Sequence, residues 1–171
     1  MIITGNQIEE DVNHGKIIIT PFNTNQITTN SYDLRLSKKI LKIKDEIVDP
    51  YKELNYEEIE INTNGYILNK GEFVLGASIE KIGSNFYVPL LHGKSRIARL
   101  GIFVHITADL IDIGSIGCLT FQIYSTQRIK IYPEMLFAQV SFWKPYGKIT
   151  LYNGKYQFGE QAQPSKYHLS K

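Results

Sequence analysis

The chain predicts a mainly β fold, a sandwich or barrel carrying one or two short helices. Three observations point there. Short apolar stretches with period-two alternation recur along the chain, separated at near-regular intervals by Gly, Asn, Asp and Pro turn chemistry. Tyr and Ile are abundant while Ala is scarce, a composition that suits pleated surfaces more than helices. Hydrophobic residues make up 43% of the 171 residues, enough for one domain with a substantial core.

The elements follow in order. In "TGNQIEEDVNHG", Thr4 and Gln7 have capping-box spacing, Ile8 and Val12 share a face and Gly15 ends a short helix. After "KIIITPF" come "SYDLRL" and "KKILKIK", bounded by Asn, Thr and Asp-Pro turns. "EEIEIN" and "GYIL" flank Asn-Thr-Asn-Gly, and "GYIL" is expected to pair with "EFVLGAS" across Asn69-Lys70-Gly71, so both read as hairpins. "HGKSRIARLG" lacks strand alternation; Ser95 to Leu100 predicts a helical turn stopped by Gly101. Strands resume at "IFVHI", "CLTFQIY", "IKIY" and "FAQVSFW", with a Tyr132-Pro133-Glu134 turn before the last. In "GCLTFQIYS" the amide of Gln122 interrupts packing side chains, which places it either in solvent or in a pocket.

The apolar period fades from Lys144. The chain is expected to divide into a barrel at 1–147 and a tail at 148–171. Beyond Lys144 stand Tyr146, Tyr152, Tyr156, Tyr167 and Phe158, a supply of stacking groups that implies a partner surface, either another subunit or a ligand.

Charge narrows the functional classes. With 19 basic and 17 acidic residues spread along the chain, the net charge is +2. No concentrated basic face exists for nucleic acid or membrane adhesion, though a compact anionic ligand is compatible. A single cysteine, Cys118, excludes an intramolecular disulfide; a buried reduced thiol and a cytoplasmic location are expected. No signal sequence or membrane-length apolar run is read.

"TNSYDLRLS", "HGKSRIARLGIFVHITADLIDIGSIGC", the Gln122 strand, "IYPEMLFAQVSF" and "LYNGKYQ...PSK" occur in an order that resembles the deoxycytidine triphosphate (dCTP) deaminases of the trimeric dUTPase-like superfamily. This collinear resemblance covers nearly the whole chain. It implies a distorted β-barrel or jelly-roll subunit in a homotrimer, with active sites shared between subunits and a tail that closes over the nucleotide. It further implies dCTP or dUTP as ligand, dTTP as an inhibitor, and Mg²⁺ carried mainly by the triphosphate with no dedicated protein metal ligands.

Zinc chemistry is not expected. A zinc deaminase needs H-x-E and P-C-x-x-C patterns, whereas one cysteine and His14, His92, His105 and His168 lack that spacing. His105 reads as a structural, hydrogen-bonded histidine. Water attack at cytosine C4 therefore falls to organic side chains.

The resemblance assigns those side chains residue by residue. The family's "GRSS-x-x-R" reads here "GKSR-I-A-R": Lys94 and Arg96 for phosphate, Ser95 for the attacking water and Arg99 as its support. Main-chain groups near Thr107 and Ala108 read the base, and Asp112 contacts the deoxyribose 3′-hydroxyl. Tyr152, Lys155 and Tyr156 belong to the nucleotide-binding tail. Gln122 aligns with the glutamate that takes a proton from water and passes it to the leaving amine, yet an amide cannot shuttle protons. Ser115 replaces a usual aromatic, and "KYQFGEQAQ" departs from "KYQGQRG". Deamination of dCTP to dUTP and ammonia leads the implied activities, and three readings of Gln122 stand beside it: an inactivated variant, a homologue of altered chemistry, or a silent nucleotide-binding regulator. The enzymatic alternative is dUTP diphosphate hydrolysis, since Asp112 also aligns with the aspartate of "ID-x-D-Y", although the glycine-rich dUTPase tail motif is absent.

Overall fold

A computed structural model of the chain describes residues 1–170. Among them are eleven strands and two short α-helices, in a distorted barrel of jelly-roll type. The largest sheet is built on β6 (Phe73–Gly83) and β9 (Ile116–Ser125), which pair antiparallel along most of their length. It is extended by β3 (Lys39–Ile43) and β4 (Tyr56–Glu60) on one side, by β8 (Ile102–Phe103) on the other, and by β1 (Ile18–Thr20) against the end of β6. A second sheet has the order β2 (Tyr32–Arg35), β11 (Leu136–Trp143), β7 (Val88–Gly93), and a small ribbon joins β5 (Tyr66–Leu68) to β10 (Ile129–Ile131).

Alternation decides what each face of β9 does. Phe121, Ile123 and Ser125 are buried, with Phe121 stacked on Phe137 from β11 at 5.9 Å. Thr120, Gln122 and Tyr124 point to the opposite face and are half-buried. The ladder breaks between Ala77 and Lys81, where the Ser78 hydroxyl accepts the Leu119 N–H (2.8 Å) and donates to the Glu80 carbonyl (2.6 Å). The hydroxyl thus satisfies backbone groups that the bulge would leave unpaired.

Two local expectations are corrected. Helix α1 (Gly5–Asn13) begins after Thr4 and ends before Gly15 at φ +70°, but the capping box does not form. Thr4 makes no side-chain cap, and the buried Asp11 carboxylate of the same helix accepts from Tyr87 at 2.6 Å and from Lys16 at 3.1 Å. Nor does "GYIL" pair with "EFVLGAS". The turn at Asn69–Glu72 does form, but β5 continues into the ribbon with β10, and β4 pairs only with β3.

Residues 148–170 carry no strand. They lie back across the β9 side of their own barrel, joined to it by backbone bonds from Tyr152 N to Ile113 O (2.8 Å), Phe158 N to Ile116 O (2.8 Å) and Cys118 N to Gly159 O (2.7 Å). Close approach depends on two glycines. Gly114 sits at φ +88°, where a Cβ would meet the Tyr152 nitrogen at 3.0 Å, and a Cβ on Gly117 would stand 2.8 Å from the Gly159 nitrogen.

Candidate active site

The outer face of β9 forms the floor of a cleft of about 590 Å³, a size suited to a small ligand. Thr120 and Gln122 line the floor, Ala108 and Asp112 the loop before β9, and Tyr152, Tyr156 and Gln163 the tail. Ile43, Val48, Leu54 and Tyr56 close the cleft with an apolar wall from β3 to β4.

Gln122 is held on both sides. Its N–H donates to the Val104 carbonyl at 2.8 Å, its Cα partner on β6 is Leu75, and its Oε1 accepts the Ile106 N–H at 3.2 Å. The misfit amide therefore faces the cleft and not the core. Asp112 is exposed and, among the described residues, is the only carboxylate lining the cleft. One carboxylate makes no cage for a hard cation that keeps its waters, so the residues fit Mg²⁺ only as an ion carried on ligand phosphates.

The tail is fastened by its own polar groups. Gln157 accepts from Ile116 N–H and donates to the Gly114 carbonyl, both at 2.8 Å. Gln163 N–H donates to the Thr120 hydroxyl at 3.0 Å, and its side chain donates to the Tyr156 carbonyl at 3.0 Å. Lys155 and Lys166 place ammonium groups 5.8 and 5.1 Å from the Tyr156 ring centre. Phe158, where the family pattern has glycine, holds φ at +59°.

Other sequence-predicted residues stand outside this lining. Ser95 and Arg96 lie in the short helix α2 (Ser95–Ala98), Arg99 caps it, and all three are exposed. Lys94 is ion-paired with the buried Asp33, so its charge is already engaged. Lys155 turns its ammonium to the Lys166 carbonyl and the Ser170 hydroxyl, and Thr107 is exposed beside the lining. Two expectations about single residues change. Cys118 is half-buried and borders the cleft because alternation puts it opposite the core; burial nonetheless pushes its thiol pKa up. His105 Nδ1 is buried with no hydrogen-bond partner among the described residues, contrary to the expected hydrogen-bonded histidine.

Sequence reasoning missed Thr120, Tyr56, Gln163 and Lys166. Thr120 was within reach, being two residues before Gln122 on the same strand face. Gln163 and Lys166 end the tail segments "KYQFGEQAQ" and "PSK", which do not reveal what those side chains meet, and Tyr56 comes from a distant segment with no local signal.

A profile of proteins described as dCTP deaminase-like matches residues 2–145. The chain belongs to the dCTP deaminase-like family. Relatives named "dCTP deaminase, dUMP-forming" include one from Hathewaya histolytica, 39% identical over 166 residues and covering 96% of each chain. Another, from Clostridium beijerinckii, is 37% identical over 166 residues, covering 96% of this chain and 95% of its own. The solved 2′-deoxycytidine 5′-triphosphate deaminase from Agrobacterium tumefaciens superposes with a TM-score of 0.66 at 20% identity, over 82% of this chain and 47% of that one. The dCTP deaminase-like fold is thus shared with a chain about 1.7 times as long.

Proposed function

We propose that the protein is a cytoplasmic hydrolase of pyrimidine 2′-deoxynucleoside triphosphates, acting on dCTP by zinc-independent deamination to dUTP and ammonia, at a rate limited by Gln122. The observation that carries this reading is the convergence of Gln122, Ala108, Asp112, Tyr152 and Tyr156 on one cleft in a dCTP deaminase-like chain. In the reaction, water adds its oxygen to C4, one of its protons ends on the ring nitrogen N3 and the other on the departing amine, and ammonia leaves as the C4 carbonyl forms. Gln122 can orient the water but cannot accept its proton. Losing a positioned acid–base group typically costs about 10² to 10⁴ in rate.

Ser95, Arg96 and Arg99 enter the site from a second copy. Exposed Leu100, Phe103, Ile106 and Leu110, running from the end of α2 through β8 to the loop after it, support a self-association surface beside α2, in keeping with a homotrimer. Mg²⁺ arrives with the triphosphate and neutralises part of its charge, while Lys155 and Tyr156 supply tail contacts and dTTP acts as an inhibitor.

A second reading, dUTP diphosphate hydrolysis, draws on the relatives' names: forming dUMP from dCTP removes a diphosphate as well as the 4-amino group. That half of the chemistry does not require a proton shuttle at C4. Incubation with Mg²⁺ and either dCTP or dUTP, followed by chromatography, separates the two. Ammonia and dUTP from dCTP support deamination, pyrophosphate and dUMP from dUTP support the second reading, and binding without either product marks a silent regulator.

A further inference from the structure

We infer that Gln122 makes the cleft select a 4-oxopyrimidine, the uracil type, over the 4-aminopyrimidine cytosine; the inference rests on the proposed nucleotide site. The Ile106 backbone N–H can only donate, so the amide atom facing it at 3.2 Å must be Oε1. Flipping the amide would set two donors face to face. The Val104 carbonyl and the β6 ladder hold the strand on either side, so the side chain does not gain freedom from a mobile backbone.

With one Oε1 lone pair taken by Ile106, the group of Gln122 left without a hydrogen-bond partner among the described residues is the Nε2 amide, a donor without acceptor capacity, and this is the group available to a ligand in the cleft. A base whose C4 edge reaches Gln122 then meets N–H hydrogens. The O4 carbonyl of uracil accepts them. The exocyclic amine of cytosine brings hydrogens of its own, leaving donors opposed in a cleft that tail residues line. A carboxylate at this position would behave oppositely: it would repel O4 and accept from the amine. One substitution therefore changes the favoured base as well as the proton chemistry.

The test is calorimetric titration, with Mg²⁺, of α,β-imido dUTP and α,β-imido dCTP into the full-length protein and its Gln122→Leu variant. Leaving a buried polar group unpaired costs about 1–3 kcal/mol, roughly a 5- to 150-fold difference in affinity. The dUTP analogue is expected to bind at least fivefold more tightly to the wild type, and Gln122→Leu is expected to bring the two within about twofold. A merely structural role for Gln122 would weaken both ligands equally. Equal affinities in the wild type, tighter dCTP binding, or a preference that survives in Gln122→Leu overturns the inference while leaving the nucleotide site intact. Failure of both analogues to bind the folded wild type overturns the site itself, and the inference with it.

Discussion

At the scale of single residues, polarity inside an apolar strand was a legible signal. Gln122 broke the pattern of β9, and the structure resolves that break as a change of face: Phe121 and Ile123 enter the core while Gln122 borders the cleft. Lys94 was less legible, because the basic loop gives no hint that Asp33, far away in sequence, holds its ammonium. Two expectations belong here. Gln122→Glu, by restoring a titratable group, should raise dCTP deamination at least tenfold, a fraction of the 10²- to 10⁴-fold value of such groups, with ammonia release as the measurement. An unchanged rate in a folded, dCTP-binding variant would remove Gln122 from the chemistry. If Asp112 holds the 3′-hydroxyl of a closely packed deoxyribose, an added ribose 2′-hydroxyl is crowded or left unpaired, so CTP should bind about tenfold or more weakly than dCTP in calorimetry.

Elements show where sequence reading stops. The Asn69–Glu72 turn was visible in its residues, but β5 pairs with β10 some sixty residues on, and no local pattern encodes a partner so distant. What holds the turn is Glu72, whose carboxylate accepts from Lys42 on β3 (2.6 Å), Tyr66 on β5 (2.8 Å) and the Asn69 N–H (2.8 Å). Burial alone would raise its pKa; these partners outweigh burial and pull it down to about 2. A depressed folded-state pKa means the stabilisation is complete above the ordinary carboxylate value of 4.5 and is lost as pH falls from there toward 2. Glu72→Gln should therefore destabilise the protein by on the order of 1–3 kcal/mol at neutral pH in urea denaturation. The gap to wild type should shrink as pH drops below 4.5. A gap independent of pH would mean that packing, and not charge, accounts for the role of Glu72.

For the whole molecule, the question is how one chain accounts for a site whose predicted parts it holds apart. Gln122, Asp112 and the tail share a cleft, whereas Ser95, Arg96 and Arg99 stand exposed on α2, outside its lining. The sequence supplied both groups but not the distance between them, since adjacency in space leaves no trace in spacing along the chain. If two copies share each site, the two halves can be damaged on different chains. Truncation after Gly147 removes the tail and should leave a folded barrel with weaker nucleotide affinity, because the removed segment contributes Tyr152, Tyr156 and Gln163 to the cleft. A second chain carrying Ser95→Ala, Arg96→Ala and Arg99→Ala keeps its tail and loses α2 chemistry. Each variant alone should bind dUTP poorly. Co-refolding them should create mixed assemblies in which an intact α2 faces an intact tail, and titration should recover high-affinity sites at a fraction of one per chain. Recovery to no more than the average of the two separate variants would show that each chain builds its site alone, and α2 would then have no part in nucleotide binding across subunits.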